Sequence, residues 1–290
     1  MAEVYLAECF GASGFEKRVA IKTLLPSFRG MGDYQRLLIE EARLAAGLSH
    51  RNLVTVHELA VDRGIYYVCM EYVDGADLGS LMRAAREQGE PGGRADGPAI
   101  PMSLILAIAE ELAHGLEYVH RATDDRGRAL GLVHRDVSPS NILISRAGEV
   151  KLADFGIAKA TNLADATLSN MRKGTYAYMS PEQVAGVPLG SGSDQFGLGV
   201  VLAELCTGRR PFDGGTIMET LDNIKAAPPP DLAGVPEPAR RIVLRCLERD
   251  PCNRFASADA LARALALARR DYPVVTPVDL GRWASERLPG

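Results

Sequence analysis

Asp136, Asn141 and Asp154 constrain this chain more tightly than any other feature of its sequence. Asp136 and Asn141 stand five residues apart in His134-Arg135-Asp136-Val137-Ser138-Pro139-Ser140-Asn141, and Asp154 follows thirteen residues later in Asp154-Phe155-Gly156. The first segment reads as a loop leading into a strand, Ile142–Ser145. A second strand, Val150–Leu152, follows the Ala147-Gly148 turn and ends beside Asp154. Such a layout brings three oxygen-bearing side chains to neighbouring strand ends. A carboxylate there can accept a hydroxyl proton, while an amide oxygen and a second carboxylate suit a hard cation together with substrate phosphates.

Around that loop the pattern of the chain changes once. Residues 3–9 and 18–24 are apolar or alternating, with β-branched and aromatic members, and predict two strands across a Gly/Ser turn at 11–14. From 33 to 48, Leu37, Leu38, Ala42, Ala45 and Ala46 recur at helical spacing, with Gly47 as the stop. Strands are expected at 54–61 and 65–72. After Gly75 helices dominate, at 77–86, 103–120, 191–208, 216–226, 237–247 and 257–270. Residues 87–99, rich in Gly, Pro and charge, read as a flexible surface insertion. This order predicts an α+β chain of two lobes. A small antiparallel sheet with one helix occupies 1–73 and a mainly helical lobe 74–272, followed by a tail, 273–290, with a crevice near 71–77.

The net charge of −4 and pI of 5.8 exclude a general polyanion-binding surface, so no nucleic-acid partner is expected. The five cysteines show no paired C-x-x-C spacing and read as reduced, buried thiols. No targeting segment opens the chain, and no uncharged apolar run approaches the ~18 residues that span a bilayer. A cytoplasmic protein without a membrane span is expected. Only six of the 33 basic residues are lysine, a composition that resembles GC-rich bacterial coding.

The motifs HRDVSPSN, ADFG and GTYAYMSPEQ, in this order and spacing, resemble those of the eukaryotic-like serine/threonine protein kinases of bacteria, over residues 1–270. The resemblance implies a two-lobed kinase fold. It also implies transfer of the γ-phosphoryl group of ATP, with magnesium or manganese, to serine or threonine hydroxyls of protein substrates in bacterial signalling. On that pattern Asp136 is the base and Asn141 and Asp154 are the metal ligands. Lys22, in Val19-Ala20-Ile21-Lys22, binds the phosphates. Glu40 and Glu41 both compete as its acidic partner, and the run Glu41-Ala42-Arg43-Leu44-Ala45-Ala46 aligns Glu41 with the family. In the crevice, Met70 would guard the adenine pocket, with Glu71 C=O and Val73 N–H bonding the base and Val4, Ala20 and Leu143 enclosing it. Asp77 would either meet the ribose or cap a helix. Thr175 would touch the catalytic carboxylate, the serine/threonine arrangement. Asp194 would brace the catalytic-loop backbone, and Glu182 and Arg254 would form a buried pair. Arg135 could pair with a phosphate on the loop after Asp154, for which Thr161, Thr167 and Ser169 are candidate acceptors. The oligomeric state is left open.

Two departures from the family pattern stand out. Ser138 replaces a lysine that contacts the γ-phosphate. Aligning the Gly-rich loop ends it at Val4 and puts its third glycine at Ala2, so the first two glycines and the preceding strand would fall before Met1. An internal start codon accounts for this, and Met1 and Ala2 would then fray. A weakly active pseudokinase or scaffold is the alternative these departures support. A small-molecule phosphotransferase of related fold would lack the peptide-binding segment at 174–182.

Overall fold

The first sheet is built from the alternating segments near the N-terminus. β1 (Ala2–Phe10) pairs with β2 (Glu16–Leu24), β2 with β4 (Ile65–Glu71), and β4 with β3 (Val56–Asp62), all antiparallel, in the order β1-β2-β4-β3. The computed structural model describes residues 2–88, 100–156 and 175–288. Met1, Thr161, Thr167, Ser169, most of the 87–99 insertion and the side chain of Thr175 lie outside the described residues. Ala2 is paired with Leu24, so the strand is anchored from its first described residue, where the sequence predicts fraying.

Val4 stands opposite Lys22, and Ala20 opposite Met70. Opposed residues share a side and side chains alternate along a strand, so these four project from one face. β3 starts at Val56, two residues later than expected. The preceding residues are tied elsewhere: Val54 N–H donates to Leu152 C=O at 3.0 Å, and Leu53 bridges to Leu152 in parallel.

Helix α1 (Gly32–Ala46) lies against this sheet. Its Leu38 and Ala42 pack with Leu24 and Val68 in a small cluster of their own, while Ala45 joins the main core. A second sheet, in the order β5-β6-β7, unites β5 (Gly75–Asp77), β6 (Ile142–Ser145) and β7 (Val150–Leu152). The helices that follow the crevice are α2 (Leu78–Glu87), α3 (Met102–His120), α4 (Pro181–Ala185), α5 (Ser191–Thr207), α6 (Ile217–Ala226), α7 (Glu237–Cys246), α8 (Ala258–Arg269) and α9 (Pro277–Ser285). α5 is apolar almost all round because it lies at the centre of the main core, and α3 turns a broad apolar face into that core. Among the described residues no helix is long and apolar enough to cross a membrane.

The expectation of buried thiols holds for Cys206 and Cys246 but not for Cys9 and Cys252, which are exposed; all five are free. Cys9 lies on the outermost strand and Cys252 in a surface turn, neither of which apolar neighbours in sequence can bury.

One charged pair sits inside the helical lobe. Arg254 Nη1 and Nη2 donate to Glu182 Oε1 and Oε2 at 2.6 and 3.0 Å, Ser193 Oγ donates to the same carboxylate at 2.8 Å, and the guanidinium lies 4.9 Å over the Phe196 ring. Burial opposes the charge of Glu182, but the Arg254 guanidinium outweighs it and holds the carboxyl below its usual range. We predict that Arg254→Met lowers the unfolding free energy by about 3–5 kcal/mol, because it strands a buried carboxylate. Since the folded-state value of Glu182 is depressed, its contribution is present above the unfolded carboxyl value of ~4.3 and fades as pH falls through the lower folded value. Urea denaturation of both proteins should therefore show a gap that narrows on acidification.

Candidate active site

The alternation of β2 turns Lys22 inward, where only 8 % of it remains exposed. Its ammonium donates to Glu41 Oε1 at 2.7 Å and to Asp154 Oδ1 at 2.8 Å. Glu41 rather than Glu40 meets it, because Glu41 follows Leu37 and Leu38 on the buried stripe of α1 while Glu40 is exposed. Burial works against the charge of Lys22, but Asp154 and Glu41 outweigh it and push its pKa upward. The ammonium therefore stays ionised. An apolar cavity behind this cluster is walled by Val56, Val68, Met70, Leu152 and Phe155.

Asp154 reaches Lys22 from a left-handed backbone, φ 58°, and Arg135 in the loop 134–141 is also left-handed, φ 71°. Non-glycine residues in this region are strained by about 1–3 kcal/mol each, so the surroundings must hold them. Gly156 N–H donates to His134 C=O at 2.8 Å, and a Cβ on Gly156 would lie 2.8 Å from the Cβ of Asp136. Only glycine lets the two segments press together this closely. The rings of His134 and Phe155 pack with centroids 4.7 Å apart. Burial lowers the pKa of His134, which favours the neutral ring.

Beneath the loop, Asp194 Oδ2 and Oδ1 accept from His134 N–H and Arg135 N–H, both at 2.8 Å, and His120 Nε2 lies 2.7 Å from Oδ2. Burial opposes ionisation of Asp194, yet His120 and the loop amide hold its carboxyl below the ordinary range. From the other side, Gln183 Nε2 donates to Arg135 C=O at 2.8 Å while Ser180 and Gln183 close the capping box of α4. Asn141 Nδ2 donates to Asp136 C=O at 3.0 Å, which commits the amide nitrogen and offers its oxygen as a ligand. With the Asp154 carboxylate, this oxygen donor set fits a hard divalent cation shared with phosphates.

At the crevice, Met70 is buried, and the Glu71 carboxylate is held by Lys151 Nζ at 2.9 Å and by Thr55 N–H at 3.2 Å. Val73 and Leu143 are half-buried, Ala20 is buried and Val4 is exposed. Asp77 caps α2, accepting from Ser80 N–H at 2.9 Å and from Ser80 Oγ at 2.5 Å. Ser138 is buried, its Oγ 3.1 Å from that of Ser140. Thr175 opens a 3-10 turn, Thr175–Tyr178. Sequence reasoning misses Lys151, Gln183 and His120. The first left a signal, a lysine within the apolar run Val150-Lys151-Leu152, the same pattern that marks Lys22.

A model of the protein kinase domain family matches residues 6–265. This chain belongs to the protein kinase family. Tyrosine-protein kinase MasK of Myxococcus xanthus is 38 % identical over 269 residues, which cover 91 % of this chain and 40 % of that protein. Serine/threonine-protein kinase PrkC of Bacillus subtilis is 34 % identical over 263 residues, 89 % of this chain and 37 % of PrkC. The chain thus spans less than half of either relative. The PknI kinase domain of Mycobacterium tuberculosis superposes with a TM-score of 0.65 at 27 % identity, covering 94 % of this chain and 92 % of that one.

The loop 134–141 rests on the Asp194 carboxylate. Asp194→Ala removes the acceptor of two loop amides and should destabilise the protein by about 1–3 kcal/mol for each amide left unsatisfied. Chemical denaturation measures the loss.

Proposed function

We propose that the chain is an active protein kinase domain that transfers the γ-phosphoryl of Mg-ATP to serine or threonine hydroxyls of protein substrates. The observation that carries this reading is the Lys22 ammonium held between Glu41 and Asp154, beside a catalytic loop whose backbone is fixed from below by Asp194. In this reading the nucleotide lies between the lobe 1–73 and the lobe 74–272. Val4, Ala20 and Leu143 enclose the adenine, Met70 closes its rear, and Glu71 C=O and Val73 N–H bond its edge. Asp77, already engaged as a cap, meets the ribose with its remaining acceptor capacity.

Lys22 fixes the phosphates by charge, and Asn141 and Asp154 hold magnesium, with manganese able to substitute. The metal, when bound, neutralises charge that develops on the transferring group. Asp136 orients the acceptor hydroxyl and takes its proton, and Thr175 supports that carboxylate. All four charged or ligating parts are present, so a scaffold role is not favoured, although Ser138 leaves the loop one cation short. The free thiols accord with a reducing, cytoplasmic setting.

MasK supports a second reading, with tyrosine as the acceptor. Radiolabelled ATP with magnesium, a generic basic protein and phosphoamino-acid analysis separate the two. Phosphoserine or phosphothreonine is expected, and phosphotyrosine alone would replace this reading with the second. Asp154→Ala should abolish transfer. Asp136→Asn should keep nucleotide affinity nearly intact and reduce turnover by about a hundredfold or more. Equal turnover by wild type and Asp136→Asn would defeat the kinase proposal.

A further inference from the structure

Helix α9 lies beyond residue 265, where the match to the kinase family ends, yet Leu280, Trp283 and Ala284 are buried in the main core. Its start is fixed by a capping box between Thr276 and Asp279. Near its C-terminal end Arg287 stacks over Trp283 at 4.7 Å.

The helix meets the turn between β6 and β7 backbone against backbone. A Cβ added to Gly281 would lie 2.3 Å from the Arg146 carbonyl oxygen, and one added to Gly148 would lie 1.8 Å from the Pro277 carbonyl oxygen. The turn is joined with equal directness to the crevice. Arg146 N–H donates to Asp74 C=O at 2.7 Å, and the Arg146 guanidinium lies 3.6 Å from the Asp74 carboxylate. Gly75 pairs with Ser145, where an added Cβ would lie 2.0 Å from the Ile144 carbonyl oxygen.

A single layer of backbone, the turn 146–148, therefore links α9 to Asp74 and Gly75. Side chains absorb small displacements by changing rotamer, whereas close-packed backbone transmits them. We propose that α9 sets the position of segment 73–75 and thereby the affinity for nucleotide, with Gly281 as the positioning residue. The proposal rests on the kinase reading for its nucleotide and on packing alone for its mechanical link. It makes the segment following the family domain a determinant of ATP affinity, although no residue of α9 belongs to the proposed site.

Alanine favours a helix over glycine, so any loss in Gly281→Ala reports the contact rather than the helix. The full chain is compared as wild type, Gly281→Ala, and Leu265→Ala as a buried control in α8. KM for ATP, kcat and amide hydrogen exchange at 74–77 are measured. Gly281→Ala should raise KM for ATP about three- to tenfold, leave kcat within about twofold, and speed exchange at 74–77. The control should change neither KM nor that exchange. Wild-type KM and exchange in folded Gly281→Ala, or the same changes in Leu265→Ala, would overturn the proposal. Should Gly281→Ala not fold, Trp283→Ala removes the buried anchor of α9 without a clash and is judged by the same readouts. Wild-type protein that binds no Mg-ATP would defeat the kinase reading instead, and the exchange comparison would still decide whether α9 holds the crevice.

Discussion

The shared ammonium of Lys22 is the point on which the two lobes agree. A lysine this deeply buried is unfavourable alone, since burial penalises the charged form. Glu41 at 2.7 Å and Asp154 at 2.8 Å reverse the balance. The three groups arrive from β2, from α1 and from the segment after β7, so the contact joins the sheet, its helix and the catalytic strand end at once. α1 can take its place only if Leu38 and Ala42 pack on the sheet, and Asp154 only if its left-handed backbone is held. Losing either would leave Lys22 with one partner in an environment that penalises its charge.

That dependence runs downward into the helical lobe. Arg135 and Asp154 both occupy strained backbone, and the strain is held by groups that do no chemistry themselves. Asp194 accepts two loop amides, Gln183 donates to Arg135 C=O, and Gly156 leaves room for Asp136. α5 carries Asp194 and Ser193, and Ser193 donates to the Glu182 carboxylate that Arg254 holds. The buried ion pair and the strained loop thus share one helix as their support. Asp194, Glu182, Arg254 and Ser193 are tolerated inside the lobe because they satisfy one another or the loop backbone.

Much of this was legible in the sequence because the informative residues sit within short motifs or on strong periodic stripes. Asp136, Asn141 and Asp154 are fixed by spacing, and the helical stripe of Leu37, Leu38, Ala42 and Ala45 brings Glu41 toward Lys22 and leaves Glu40 outside. Asp77 was ambiguous because one carboxylate suits both a cap and a ribose; its engagement by Ser80 is a matter of local geometry that composition does not encode. β5 has three residues, too few to show a period, and exists because Gly75 tolerates the close approach of β6. α9 carries only a short apolar stripe, and its partners, Arg146 to Gly148, are more than a hundred residues away in sequence. The apolar run around Lys151 signals a buried lysine, but its partner, Glu71, is identified only by the fold.

Ser138 makes the charge balance of the proposed reaction unusual. Two carboxylates, Glu41 and Asp154, hold one ammonium, and the position where the family pattern supplies a second cation is a buried serine paired with Ser140. Phosphates entering such a site add further negative charge, which Coulomb repulsion in a partly buried crevice penalises more than it would in water. The compensation has to come with the substrate. In the proposed reading Asn141 and Asp154 supply the oxygen ligands, and the divalent cation would serve first to make the crevice electrostatically acceptable to ATP. The same argument gives the metal a larger share of transition-state stabilisation here than in a loop that carries the lysine.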